Sequence, residues 1–199
     1  MSHPLILASS SETRAALLRN AGVAVEVRAP RVDEAAMREG LLAEGASPRD
    51  VADALAEAKA RRVSGKAVDG LVVGCDQTAE LGDTLLTKPA SEAEAVSMIS
   101  AFSGRSHKLH SAVVIYEEAR PVWRHVETVR LDARQLSLPY IESYVARNWP
   151  KIRTSAGAYR LEEEGARLFT RIQGDYFTVL GLPLLPLLSY LALRGVIET

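Results

Sequence analysis

The sequence predicts an α/β fold, and three features carry that expectation. Leu71 to Cys75 is a short Val-rich apolar run bounded by Asp69-Gly70, the pattern of a strand buried on both faces. Pro4 to Ala8 is a second apolar strand, and it runs through three serines into the helical spacing of Leu17, Leu18 and Ala21. Further along, helix-cap signatures alternate with stretches of strand character, and no composition shift, linker or internal repeat interrupts them. The chain therefore reads as one domain over residues 1–199, long enough to bury a sizeable core without disulfide or metal.

Each element follows from local chemistry. After the first strand, Ser9 and Glu12 stand at capping-box spacing, and Gly22 closes the helix. Val23 to Ala29 alternates as a strand that Pro30 ends, ahead of the acidic pair Asp33-Glu34. Ser47-Pro48 opens a helix running to about Val63, with Val51, Leu55 and Ala58 as its buried stripe and Lys59 at the margin, where a long cation snorkels outward or reaches into a cleft. Thr78–Leu81 and Thr84–Leu86 flank Gly82-Asp83, a two-residue hairpin signal. Ser91 and Glu94 cap a helix that ends near Gly104, and Ser106–Tyr116 and Val122–Ala133 form an antiparallel pair joined by the turn Glu117–Pro121. A helix from Pro139 to Trp149 stops at Pro150. Strands around Leu168–Ile172 and Tyr176–Leu180 are separated by Gly174-Asp175, and a last helix runs from near Pro183 to Gly195.

Composition narrows the function. The net charge is -1, from 24 basic and 25 acidic residues, so nothing global favours a nucleic acid polymer or an anionic membrane as partner, and anion binding must be local. The apolar stretch from Val179 to Ile197 is broken by Pro183 and Pro186, too short a run for a spanning helix. The N-terminus lacks signal-peptide character, and the lone Cys75 reads as a small buried thiol, which together make a reducing cytoplasm the expected compartment. There is no Walker loop, no Gly-x-Ser-x-Gly elbow and no metal spacing among His3, His107, His110 and His125.

Two places carry chemistry. Asp76 follows the central strand, and open α/β sheets bind ligands outside the carboxyl ends of their strands; the hairpin after it returns Lys88. A carboxylate and an ammonium there suit a phosphorylated or metal-bound ligand, against the alternative of a turn cap and a solvated lysine. The helix N-terminus after Ala8 offers free N–H groups, serine hydroxyls (Ser9, Ser11) and Arg14, a phosphate-site pattern. Arg14 sits in the first turn, against the helix dipole and on the inward face, a conflict that an anion or a structural salt bridge would resolve.

The ordered set Leu-Ile-Leu-Ala-Ser-Ser-Ser with Arg14, Val32-Asp33-Glu34, Ala58-Lys59-Ala60, Gly74-Cys75-Asp76, Lys88-Pro89, Ser103-Gly104-Arg105, Ala156-Gly157-Ala158-Tyr159 and Gly181-Leu182-Pro183 resembles the Maf family of nucleotide pyrophosphatases over nearly the whole chain. The resemblance implies a fold similar to the inosine triphosphate pyrophosphatases: an elongated mixed sheet with flanking helices and two lobes around a central cleft. It also implies a small-molecule nucleotide substrate, hydrolysis to monophosphate and pyrophosphate, a divalent cation (Mg²⁺ or Mn²⁺), and a homodimer, the common assembly in the family. By the same resemblance Ser9 and Arg14 belong to the phosphate-binding loop, Lys59 and Lys88 are cleft lysines, Glu34 is a functional acid and Asp76 the proton acceptor, so that Asp76, Glu34 and Lys88 are the expected catalytic residues; Ser11 adds a substrate-binding hydroxyl, and the carboxylates of Asp76 and Glu34 suit the hard cation. The chain departs from the family at Glu12-Thr13, where Pro-Arg is frequent, and at Thr87, where glycine commonly precedes Lys-Pro.

Within the family, Gln after the catalytic Asp and Glu after the Ala-Gly motif accompany action on 7-methylguanosine triphosphate, and this chain has Gln77 and Glu162. A carboxylate can accept both adjacent donors of guanine, N1–H and the 2-amino group, whereas uracil flanks one donor with two acceptors. The expectation is thus a guanine-type base, although Glu162 also begins a run of three glutamates that reads as a solvated loop. The alternatives are a dTTP/UTP pyrophosphatase of the same family, an inosine or xanthosine triphosphate pyrophosphatase, and a non-catalytic nucleotide-sensing regulator of cell division.

Overall fold

The computed structural model describes residues 5–65, 70–82 and 84–198. It is a mixed α/β protein built on one seven-stranded sheet. The strands are β1 (Leu5–Ala8), β2 (Val25–Val27), β3 (Leu71–Leu81), β4 (Thr84–Leu86), β5 (Ser106–Glu117), β6 (Arg120–Ala133) and β7 (Phe169–Gln173). Their order is β2-β1-β3-β5-β6-β7, with β4 paired to β3. β1 lies parallel to β2 and β3, while β3–β4 and β6–β7 are antiparallel. The helices are α1 (Glu12–Asn20), α2 (Glu34–Ala43), α3 (Pro48–Ser64), α4 (Glu92–Phe102), α5 (Leu138–Ile152), α6 (Tyr176–Val179) and α7 (Leu184–Leu193).

The chain divides into two compact units. The first comprises the chain through Gln77, Ser111–Glu127 and everything from Tyr176 onward. Its sheet is covered on both faces, and strand alternation sorts the side chains. Leu5, Leu7, Leu71, Val73 and Cys75 pack with Leu18 of α1 and Leu187 and Leu191 of α7, while Ile6, Ala8 and Val72 pack with Ala52, Ala56 and Ala60 of α3. The second unit comprises Thr78–His110 and Thr128–Asp175. There α4 packs on α5, and the rings of Phe102, His107, Tyr159 and Phe169 form one buried cluster with centroids 4.8–6.1 Å apart.

Several sequence expectations are corrected. Ser11, not Ser9, caps α1, its hydroxyl accepting from Arg14 N. Only Val25–Val27 of the expected 23–29 strand pair with β1. Asp33 caps a helix, α2, that has no buried residue and hence no apolar stripe to announce it. The hairpin turn is Glu118-Ala119, both at positive φ, the backbone of a two-residue primed turn. α5 continues through Pro150, because the buried Ile152 draws its last turn into the core. Tyr176–Val179 is a single helical turn instead of a strand. The expected β3–β4 hairpin forms, although Asp83 of its turn lies outside the described residues, as do Pro4 and His3. Among the described residues, no helix is long and apolar enough to cross a membrane.

Candidate active site

The site starts from the register of β3. β1 pairs with it only as far as Gly74, and β4 only from Ala79 on. Asp76 and Gln77 therefore lie between two pairings, in mid-strand where sequence reading put a strand end. Asp76 still lies past the carboxyl end of the parallel section, two residues beyond the last pairing with β1.

Alternation turns Val72, Gly74 and Asp76 toward α3. Gly74 lets that helix approach: a Cβ there would stand 2.6 Å from Ala60 N and 2.8 Å from Ala60 Cβ and would overlap Ala56 O. The helix face against it is Ala52, Ala56 and Ala60, so Lys59 falls inside the buried stripe and Ala58 outside it, the reverse of the sequence expectation. At 5% exposure, Lys59 places its Nζ 2.6 Å from Asp76 Oδ1 and 2.9 Å from Glu34 Oε1. Asp76 is buried, and Glu34, at the first turn of α2, is half-buried. A buried ammonium must be paired, and two carboxylates pair this one.

On the other face of β3 stand Arg14, Ser9 and Gln77. Arg14 Nε donates to Gly181 O at 2.7 Å and Nη1 to Cys75 O at 3.0 Å, with Ser9 Oγ at 3.5 Å. Backbone carbonyls thus resolve the conflict of a cation in the first turn of α1. Gly181 stands at φ 96°, a conformation that favours glycine, and a Cβ there would come within 3.2 Å of the guanidinium. Gln77 Nε2 donates inward to Ser111 Oγ (2.8 Å) and to the carbonyls of Thr178 and Val179 (3.0 Å each). Burial pushes the thiol of Cys75, wholly enclosed between these groups, up to about 11.

Ser9, Ser11, Arg14, Glu34, Lys59, Asp76 and Gln77 all belong to the first unit; Lys88 and Glu162 belong to the second. Lys88 is exposed just after β4, and the preceding Thr87 O accepts from Gly157 N at 3.4 Å. The three glutamates lie at the surface, Glu162 exposed, and each meets a cation. Glu162 accepts from Arg160 at 3.0 Å, Glu163 from Lys151 at 2.7 Å and Glu164 from Arg147 at 2.6 Å. Hydrogen bonds from Arg147 and Asn148 hold the Glu164 carboxyl down to about 2. Residues that sequence reading missed are Ser111 and Thr178, fully buried around the Gln77 amide. Ser111 lies in an unbroken apolar strand, and a serine there with no evident partner is the signal that could have found it.

For a metal, Asp76 and Glu34 supply hard carboxylate oxygens, one oxygen of each being paired with the Lys59 ammonium. Among the described residues no group of three or more His, Cys, Asp or Glu gathers to hold an ion. That donor set fits a cation held by one or two carboxylates and completed by phosphate oxygens, and does not fit an all-protein cage.

A family model described as Maf-like protein matches residues 4–193. The chain is 57% identical to the nucleoside triphosphate pyrophosphatase of Ruegeria sp. (strain TM1040), with 100% of each chain covered. It is 52% identical to the 7-methyl-GTP pyrophosphatase of Rhizobium meliloti (strain 1021), covering 98% of each. With the nucleoside triphosphate pyrophosphatase of Caulobacter vibrioides the identity is 50%, over 96% of each.

Proposed function

The chain belongs to the Maf-like protein family, and from that premise we propose that it is a nucleoside triphosphate pyrophosphatase, adding water across the α–β phosphoanhydride to give a monophosphate and pyrophosphate. The observation that carries the reading is the buried Lys59 ammonium shared by Asp76 and Glu34 beside the open stretch of β3. A phosphorus shielded by anionic oxygens reacts only if charge is neutralised, water is oriented and the leaving pyrophosphate is stabilised. Asp76 accepts the proton of the attacking water, while Lys59, 2.6 Å away, holds that carboxylate in place. Asp76 and Glu34 would hold Mg²⁺ or Mn²⁺, which when bound neutralises phosphate charge and polarises the reacting bond. Ser9, Ser11 and the N–H groups opening α1 receive phosphate oxygens, with Arg14 fixing that turn against β3.

Lys88 and Glu162 enter the proposal through the family resemblance, as a phosphate contact and a base contact. A guanine-type base, 7-methylguanine above all, is supported by relatives named 7-methyl-GTP pyrophosphatase at 52% and 46% identity. The test is product analysis with purified protein, Mg²⁺ and a panel of nucleoside triphosphates. Pyrophosphate and monophosphate in equal amounts are expected; orthophosphate as the first product, or full turnover in chelator, overturns the reading.

A further inference from the structure

His107 and Tyr159 are polar side chains buried in an apolar cluster, and each is the other's partner. His107 is 1% exposed and Tyr159 5%, and His107 Nε2 lies 2.8 Å from the Tyr159 hydroxyl. Neither side chain has another hydrogen-bond partner among the described residues, and His107 Nδ1 is buried without one. The rings of Phe102 and Phe169 pack against both. Such a pair adds little stability that two apolar rings would not, so what it contributes is fixed geometry. Tyr159 follows a strained turn: Gly157 and Ala158 stand at φ 82° and 59°, and Ala158 is wholly buried in a conformation that its Cβ disfavours. The Tyr159 ring lies over Gly157 so closely that a Cβ there would stand 2.8 Å from Cε1. The turn points its Gly157 N–H at Thr87 O, 3.4 Å away, the carbonyl immediately before Lys88. On its other side Lys88 precedes Pro89, which disfavours helical backbone at the residue before it. All of these residues belong to the second unit.

Resting on the reading of Lys88 as a phosphate contact, we propose that His107 and Tyr159 are positioning residues for Lys88. Their hydrogen bond locks the turn at 155–158, and the Gly157 N–H of that turn fixes the Thr87 carbonyl from which Lys88 extends. An ammonium on a flexible four-carbon stem loses its phosphate oxygen easily, so a fixed backbone at its root makes the contact reproducible when the leaving pyrophosphate gains charge. Burial lowers His107 to about 4 and raises Tyr159, so both are neutral near pH 7 and the tether holds there.

The experiment measures kcat/KM for pyrophosphate release from the preferred nucleoside triphosphate with Mg²⁺, together with the melting temperature, on full-length variants. Tyr159→Phe keeps the ring over Gly157 and removes only the hydroxyl; it should cost about tenfold, less than the roughly hundredfold of a misplacement near 1 Å. His107→Gln sets an amide nitrogen near the place of Nε2 and should stay within about threefold of wild type. His107→Phe/Tyr159→Phe leaves no orphaned polar group, so it should regain the melting temperature lost in Tyr159→Phe and not the lost kcat/KM. Lys88→Ala should cost more than Tyr159→Phe, and Tyr159→Phe added to it should cost less than about twofold further. Wild-type kcat/KM in His107→Phe/Tyr159→Phe shows the pair to be merely structural and overturns the proposal. A full tenfold loss from Tyr159→Phe in the Lys88→Ala background overturns it as well, because the effect then bypasses Lys88. Pyrophosphate release that Lys88→Ala leaves unmoved overturns this proposal alone, whereas wild type that releases no pyrophosphate from any triphosphate overturns the pyrophosphatase reading and this one with it.

Discussion

Gly74→Ala is the most searching single change for the way this chain assembles its buried ion pair. Gly74 has no unusual φ to excuse its side chain; it is there for space. The added Cβ would overlap Ala56 O and stand 2.6 Å from Ala60 N and 2.8 Å from Ala60 Cβ. Two of those three atoms are helix backbone, so no rotamer change relieves the contact. Restoring carbon contacts of about 3.5 Å or more requires α3 to retreat by roughly 1 Å. Overpacking of this kind costs ~1–3 kcal/mol. The same retreat stretches the 2.6 Å bond from Lys59 to Asp76, since Lys59 immediately precedes Ala60. Fully separating a buried pair costs ~3–5 kcal/mol, so partial separation brings the total to ~3 kcal/mol or more. In a chain of this size ~1 kcal/mol shifts the melting temperature by about 2–4 °C, giving an expected loss of about 6–12 °C. Thermal unfolding followed by circular dichroism, with pyrophosphate release measured well below the transition, reads both consequences, and kcat should fall further than the folded fraction does. A loss under about 2 °C, within the ordinary scatter of surface substitutions, refutes the packing argument.

Asp76→Asn should abolish pyrophosphate release and leave the far-ultraviolet spectrum unchanged; measurable turnover above about one per cent of wild type removes Asp76 from the chemistry. Lys59→Met strands two carboxylates and should destabilise by ~3 kcal/mol, but the Lys59→Met/Asp76→Asn pair should cost less than the sum of the two, a coupling that a double-mutant cycle measures. His107, whose pKa burial lowers from 6.5 to about 4, stays neutral in the fold while the unfolded chain protonates. Stability is therefore complete above about pH 6.5 and falls as pH drops toward 4, by roughly 3 kcal/mol from this group; urea titrations across that range should show the slope, and His107→Gln should flatten it. Cys75, buried with its thiol raised to about 11, should react with a thiol reagent only on unfolding, so rapid modification of the native protein at pH 8 contradicts its enclosure.

Where an element had a local cause, the sequence disclosed it. Ser47-Pro48 and Ser91 cap α3 and α4 as their spacing requires, and the Val-rich run at 71–75 is the strand with neighbours on both sides. Elements whose cause is tertiary were misread. Tyr176–Val179 has strand composition, yet its Thr178 and Val179 carbonyls are taken by the Gln77 amide, not by a neighbouring strand. Pro150 reads as a terminator, and only the burial of Ile152 shows why the helix runs past it. In α3, Val51 and Leu55 are buried as their spacing requires, but Ala52, Ala56 and Ala60 beside them are too small to stand out as apolar positions. Smallness is their function, since it admits the strand at Gly74.

Arg14 shows most clearly what a sequence withholds about a site. Its type and place marked it as a residue needing a partner, with an anion or a carboxylate as the two candidates. The partners in the fold are the carbonyls of Cys75 and Gly181, groups every residue carries and no sequence pattern reports. Because β1 stops at Ala8, opposite Gly74, the Cys75 carbonyl lies beyond the last β1 pairing, and Arg14 takes it. The guanidinium thus extends the strand edge where the ladder ends, and the same residue ties α1 to the Gly181 turn that follows α6. α6 in turn carries the carbonyls that orient Gln77. Arg14 therefore links the loop that opens α1 to the turn after α6. An arginine at this position serves even where the neighbouring Thr13 replaces a second cation, because its fixed partners are supplied by the fold.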